Sequence, residues 1–390
     1  MTALCKIAAP LIVVSMLCLS ACSEAPDGKD EILANLYEKR ALGFEPCERA
    51  STTQAASLVS ESRCMIFERP ENPDLADGRQ IPLQVMVIPS LQSNPVLDPL
   101  VILAGGPGQA ATELANLGLI FNKIRQARDI LLLDQRGTGK LSPMRCAEEP
   151  EKLTDLSTRN LLKLQTETLD TCLSKMEADP RFYTTDIAIQ DLEALRMYLG
   201  YKQLNLWGGS YGTRVALAFL KAYPESVRTI ILDGVAPAAI TLPLHIERDA
   251  SRALERVFEA CDAETSCSNH YPNLRMHFDD LSARFEKPQI ISVTDPVTGQ
   301  KLTLSADIDW LHAALRSPLY GRMTQRLMPF IIEQAYAGHY APLLSVSALD
   351  GGINSAMFLS VICSEDVARI SQANFDQAQA HLNQQMDHPP

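Results

Sequence analysis

Between residues 80 and 240 the chain repeats one pattern: a short apolar run, an abrupt glycine-bearing loop, then a segment of helix length. Leu100 to Ala104 stops at Gly105-Gly106-Pro107-Gly108, and Asp129 to Leu133 stops at Asp134-Gln135-Arg136-Gly137-Thr138-Gly139. Leu204 to Trp207 runs into Gly208-Gly209-Ser210-Tyr211-Gly212, and Val227 to Leu232 into Asp233-Gly234. Runs that stay apolar without alternating are buried on both faces, and helices between them predict a mostly parallel, doubly wound α/β sheet. Ile81 to Pro89 alternates instead, which predicts a half-exposed antiparallel strand. The joining segments fit helices: Asp186 to Leu199 carries Ile187, Leu192, Leu195 and Leu199, and Thr213 to Tyr223 is halted by Pro224. Each sharp loop lies at the carboxyl end of its strand, where open α/β sheets place their sites.

Outside that block the pattern changes. Residues 240–352 read as amphipathic helices, with short strands only at Gln289 to Val293 and Lys301 to Leu304, and are expected to form an inserted helical cap on a core spanning 44–239. Residues 353–390 return toward the core. Their tail, Ser371 to Met386, sets Phe375, Ala378, Leu382 and Met386 on one helical stripe. At the other end Lys6 precedes an apolar run from Ile7 to Leu19, shorter than the roughly 20 residues of a spanning helix, so residues 1–21 read as an export signal. The run ends in Leu19-Ser20-Ala21-Cys22, which resembles a bacterial lipoprotein signal. That resemblance implies a lipid on Cys22, a polar tether over 22–43 and, with Ser23 next, the periplasmic side of the outer membrane; a plain signal cut after Ala21 is the alternative.

Export makes disulfides possible. Cys47 with Cys64, Cys146 with Cys172 and Cys261 with Cys267 are the local pairings, which leaves Cys363 over. With 47 acidic against 35 basic residues and a net charge of −12, nucleic acid is not an expected partner. No CxxC and no HExxH occurs, which makes zinc a poor alternative for the cysteines, and no metal or organic cofactor is expected.

Gly208-Gly209-Ser210-Tyr211-Gly212 is a G-x-S-x-G motif between an apolar strand and a helix, the setting of a nucleophile elbow. The bland alternative is a buried serine in a glycine-rich turn. A nucleophilic serine needs donors for an oxyanion, and the Tyr211 N–H with the Gly105–Gly106 loop lies in the right place. As a phosphate cradle that loop lacks the lysine and spacing, and Gly137-Thr138-Gly139-Lys140 fails the dinucleotide pattern.

AGGPG, DQRGTG, GGSYGTR, ILDGVAP, FERPENP, YTTDIAIQDLEALRMYLGY, CDAETSCSNHYPNL and SVICSED together resemble the proline iminopeptidase and tripeptidyl-aminopeptidase branch of the α/β-hydrolases, over most of residues 44 to 367. The resemblance implies an α/β-hydrolase fold and a serine exopeptidase acting on peptides with a free N-terminus. Ser210 matches the nucleophile, and Gly105, Gly106 and Tyr211 match the oxyanion loop and elbow. Glu365 and Asp366 are candidates to hold the substrate's α-ammonium, and Arg136 is read as an ion-pair partner beneath its loop.

The acid-bearing strand and the Gly-His-Gly turn of the family are not found. A triad within these residues requires Phe358 to Cys363 as a strand, Asp366 as acid, and His381 or His388 as base. The expectation is instead a C-terminally shortened member whose last core strands are missing. An esterase of the same fold and a catalytically inactive peptide-binding lipoprotein are the alternatives.

Overall fold

The computed structural model describes residues 43–47, 61–75, 77–92, 95–141, 144, 155–156, 170–294, 299, 301–347 and 353–387. Its main sheet is built from β1 (Glu45–Pro46), β2 (Arg63–Pro70), β3 (Gln80–Ile88), β4 (Leu100–Leu103), β5 (Ile130–Leu133), β7 (Leu204–Gly209) and β8 (Val227–Asp233). They lie in the order β1-β2-β3-β5-β4-β7-β8. β5, β4, β7 and β8 run parallel, and β3 joins β5 antiparallel as expected, but it is not half-exposed: Ile81–Ile88 is buried or half-buried throughout because β3 lies between β2 and β5.

The pleat explains why the parallel strands are apolar throughout. Val101, Leu103, Leu131, Leu133, Leu204 and Leu206 face one side, where helices α1 (Thr185–Tyr198) and α2 (Tyr211–Ala222) bring Leu192, Leu195, Val215 and Phe219. Their neighbours Leu100, Ile102, Ile130 and Leu132 face the other side, against Ala111 and Ala115. β8 is different. As the outer strand of the described sheet it leaves Arg228, Thr229, Ile231 and Asp233 exposed.

After β8 the chain forms α3 (Ile246–Ala263), α4 (Thr265–His270), α5 (Leu274–Phe285), a hairpin of β9 (Gln289–Thr294) and β10 (Lys301–Ala306), α6 (Ile308–Arg316), α7 (Arg322–Tyr336) and α8 (Ala341–Ser347). The short β6 (Asp155–Leu156) pairs with β10. These helices share their own core, with Phe258, Leu281, Phe285, Ile331 and Ile332 buried together. α9 (Ser355–Val361) and α10 (Gln372–Asp387) complete the described chain.

One sequence alternative is corrected. Phe358 to Cys363 is no acid-bearing strand, because Ser355–Val361 is helical and winds into a π turn over Ile362–Asp366. Asn354 starts the helix by accepting the Met357 N–H on its side chain (2.9 Å), and Ala356, Met357, Val361 and Ile362 are buried at helical spacing.

Cys47–Cys64 and Cys261–Cys267 are disulfides, compatible with an exported protein, and Cys363 is free and exposed. Cys146, like the lipidation candidate Cys22, lies outside the described residues. No helix among the described residues is long and apolar enough to cross a membrane.

Candidate active site

The site begins with a backbone conformation. Ser210 has φ 53° and ψ −120°, and it is the one non-glycine residue at positive φ among those described. Such geometry costs about 1–3 kcal/mol and persists only where its surroundings enforce it. Here the Ser210 N–H donates to the Asp233 carbonyl (2.8 Å), while its own carbonyl accepts from the Thr213 N–H (2.9 Å) and hydroxyl (2.6 Å). The turn is so tight that a Cβ on Gly208 would lie 2.4 Å from the Gly212 oxygen. A Cβ on Gly212 would lie 2.1 Å from the Leu103 oxygen, so α2 and β4 meet only through glycine. Ser210 itself stays exposed at the top of the sheet.

The loop after β4 comes against this turn. A Cβ on Gly105 would stand 3.3 Å from that of Ser210, and Gly106 takes φ 105° to turn the chain away. The same loop is strapped from the far end of the chain, because the Asn354 N–H donates to the Gly108 carbonyl (2.9 Å) and Gln109 bridges to Ile353. Tyr211, the first residue of α2, has an N–H without a partner four residues back in the helix. Ser210, Gly105, Gly106 and Tyr211 are thus brought together.

Behind them lies a buried polar network that the sequence reading missed. The Tyr211 hydroxyl meets Thr185 Oγ1 (2.7 Å) and accepts from Gln135 Nε2 (3.2 Å). The Thr185 hydroxyl and N–H in turn donate to the two carboxylate oxygens of Glu365 (2.8 and 2.6 Å). Burial raises the Glu365 pKa above the ordinary carboxylate value, and desolvation first, then the Glu365 charge, raises that of Tyr211. Asp366 has no exposed surface: one oxygen accepts from Arg214 (2.8 Å) and the other from Arg369 (2.6 Å). Of the two carboxylates expected to meet a substrate amine, only Glu365 keeps exposed surface, at 23% of its side chain. Arg136 is an ion-pair partner beneath its loop, as read from sequence, bonded to Asp191 (2.7 Å) and to the Glu71 and Phe182 carbonyls. Thr185 and Asn354 each stand as a polar residue at the start of a helix, which is their signal in the sequence.

Among the described residues no side chain hydrogen-bonds the Ser210 hydroxyl. His277 pairs with Glu333 (2.7 Å) and stacks on Tyr336, His339 bonds Gln334, and burial lowers the pKa of His312. The side chain of His381, and all of His388, lie outside the described residues.

A family model described as alpha/beta hydrolase fold matches residues 98–377. The chain is 30% identical to "Serine protease Hip1" of Mycobacterium tuberculosis over 209 residues, 49% of this chain and 39% of that protein. It is 30% identical to "Probable proline iminopeptidase" of Streptomyces coelicolor over 245 residues, 63% of this chain and 61% of that protein. With "Tripeptidyl aminopeptidase" of Streptomyces lividans the identity is 27% over 150 residues, 35% of this chain and 28% of that protein. The matched part is less than two thirds of the length of each of these relatives. Sheet order, elbow and family model agree: the chain belongs to the α/β-hydrolase fold family.

Proposed function

We propose that this chain is a serine exopeptidase that hydrolyses peptide bonds near the free N-terminus of its substrates through an acyl-enzyme on Ser210. The observation that carries the reading is the exposed Ser210 in its strained turn, with Gly105 against it and the Tyr211 N–H beside it. Ser210 attacks the scissile carbonyl, and the oxyanion is held by Tyr211 and the Gly105–Gly106 loop. Glu365 receives the α-ammonium through charge-assisted hydrogen bonds, with Asp366 holding the π turn in place behind it. The base is a histidine outside the residues whose side chains are described. A lipid on Cys22 tethers the chain to the membrane. The peptidase-named relatives support peptides over simple esters.

A second reading is a peptide-binding protein without catalysis, because the acid-bearing strand and the Gly-His-Gly turn of the family are not found in the sequence. One experiment separates the two. Exposure to a fluorophosphonate, read by intact mass, yields a single adduct that Ser210→Ala abolishes if the nucleophile is activated. No adduct on folded protein supports the second reading. Faster hydrolysis of an aminoacyl-arylamide than of its N-acetylated form identifies the exopeptidase, whereas preference for p-nitrophenyl acetate identifies an esterase.

A further inference from the structure

Helices α3 and α7 flank an open groove of about 780 Å³ in the helical region. Arg252 and Arg256, one turn apart on α3, line it together with Arg322 and Arg326, one turn apart on α7. All four are exposed, and among the described residues none makes a hydrogen bond or ion pair. Outside the groove only Arg63, which is half-buried, likewise lacks a hydrogen bond or ion pair among the described arginines. Nearby, Arg275 is held by Glu255 and Arg316 by Glu247. The two carboxylates at the groove are turned to other partners, Asp249 to Arg248 (2.9 Å) and Glu264 to the Ser266 N–H and hydroxyl.

Four unpaired guanidinium groups in a chain of net charge −12 are a departure from its own pattern, since carboxylates to pair them are plentiful. Like charges one turn apart on a helix also repel. Val257, Ala260 and Pro329 add apolar lining, and the Cys261–Cys267 disulfide ties α3 to α4 at the same groove.

We propose that this groove binds a ligand carrying two phosphate groups, one for each arginine pair. The guanidinium fork matches phosphate oxygens two at a time, and a phosphomonoester dianion offsets both charges of a pair, where a lipid phosphodiester or a carboxylate offsets one. Such phosphates come either from a soluble phosphate ester or from the headgroups of an anionic bilayer.

The test is titration of the full-length protein with inorganic pyrophosphate by calorimetry, and its sedimentation with phosphatidylglycerol or phosphatidylcholine vesicles. Each is repeated on Arg256→Gln/Arg326→Gln. The expected result is binding that weakens at least tenfold in the double variant, whose unliganded melting midpoint is no lower than that of the parent. Pyrophosphate binding without a vesicle preference identifies a soluble ester; arginine-dependent preference for phosphatidylglycerol identifies the bilayer. Equal affinity in parent and double variant, or folded parent that binds neither probe, overturns the proposal.

Discussion

The strain at Ser210 predicts a trade between chemistry and stability. Glycine accepts φ 53° freely, so Ser210→Gly is expected to stabilise the fold by about 1 kcal/mol in urea titration while removing the nucleophile. Gly212 behaves in the opposite sense. Its added methyl would meet backbone oxygen that cannot swing aside, so Gly212→Ala is expected to cost about 3 kcal/mol or prevent folding, measured the same way. Asp134 supplies a pH signature. Burial lifts its carboxyl from 3.8 to about 6 despite bonds from the Thr112 N–H (2.8 Å) and hydroxyl (2.9 Å). The folded chain therefore holds this proton more tightly than the unfolded one. Its contribution to stability is greatest below pH 4, is lost as pH rises to 6, and is flat above, by about 3 kcal/mol in all. Asp134→Asn is expected to erase that component from a stability–pH profile.

At the scale of elements, the π turn of Ile362–Asp366 links the C-terminal segment to the helix that starts at the nucleophile. Asp366→Ala would leave buried Arg214 only the more distant Glu365 carboxylate (3.9 Å), a loss expected at about 3 kcal/mol in equilibrium unfolding. This element was the least legible from sequence. Phe358, Leu359, Val361 and Ile362 are as apolar as a buried strand, and a short apolar run carries no periodicity to separate strand from helix; Asn354 as a cap decides it. The inner parallel strands β4 and β5 were legible because burial on both faces leaves an unbroken apolar run, which the outer strand β8 does not share. The α2 helix starts at Tyr211, two residues before its sequence estimate, because the elbow drives the chain directly into helix. β2 is masked in the sequence, since Ile66 is apolar at an exposed position and Arg69, in register with buried Met65 and Phe67, is spent on Asp191 (3.0 Å).

On the scale of the whole molecule, the core around the main sheet and the core of the α3–α8 region share no buried residue. Calorimetry is expected to resolve two transitions, with Leu281→Ala lowering one by about 2–5 kcal/mol equivalent and leaving the other in place. That separation was visible in sequence as the change from strand–loop–helix alternation to amphipathic helices with two short strands. The network behind Tyr211 was not, because its members, Gln135, Thr185 and Glu365, are neighbours only after folding. The strap of Asn354 across Gly108 has a consequence in time. About 250 residues separate the two, so at a synthesis rate of about 5–20 residues per second the loop beside Ser210 waits tens of seconds for the segment that fastens it. The strand order can be established long before the nucleophile's surroundings are, and a nascent chain would carry an assembled sheet with an unfinished site.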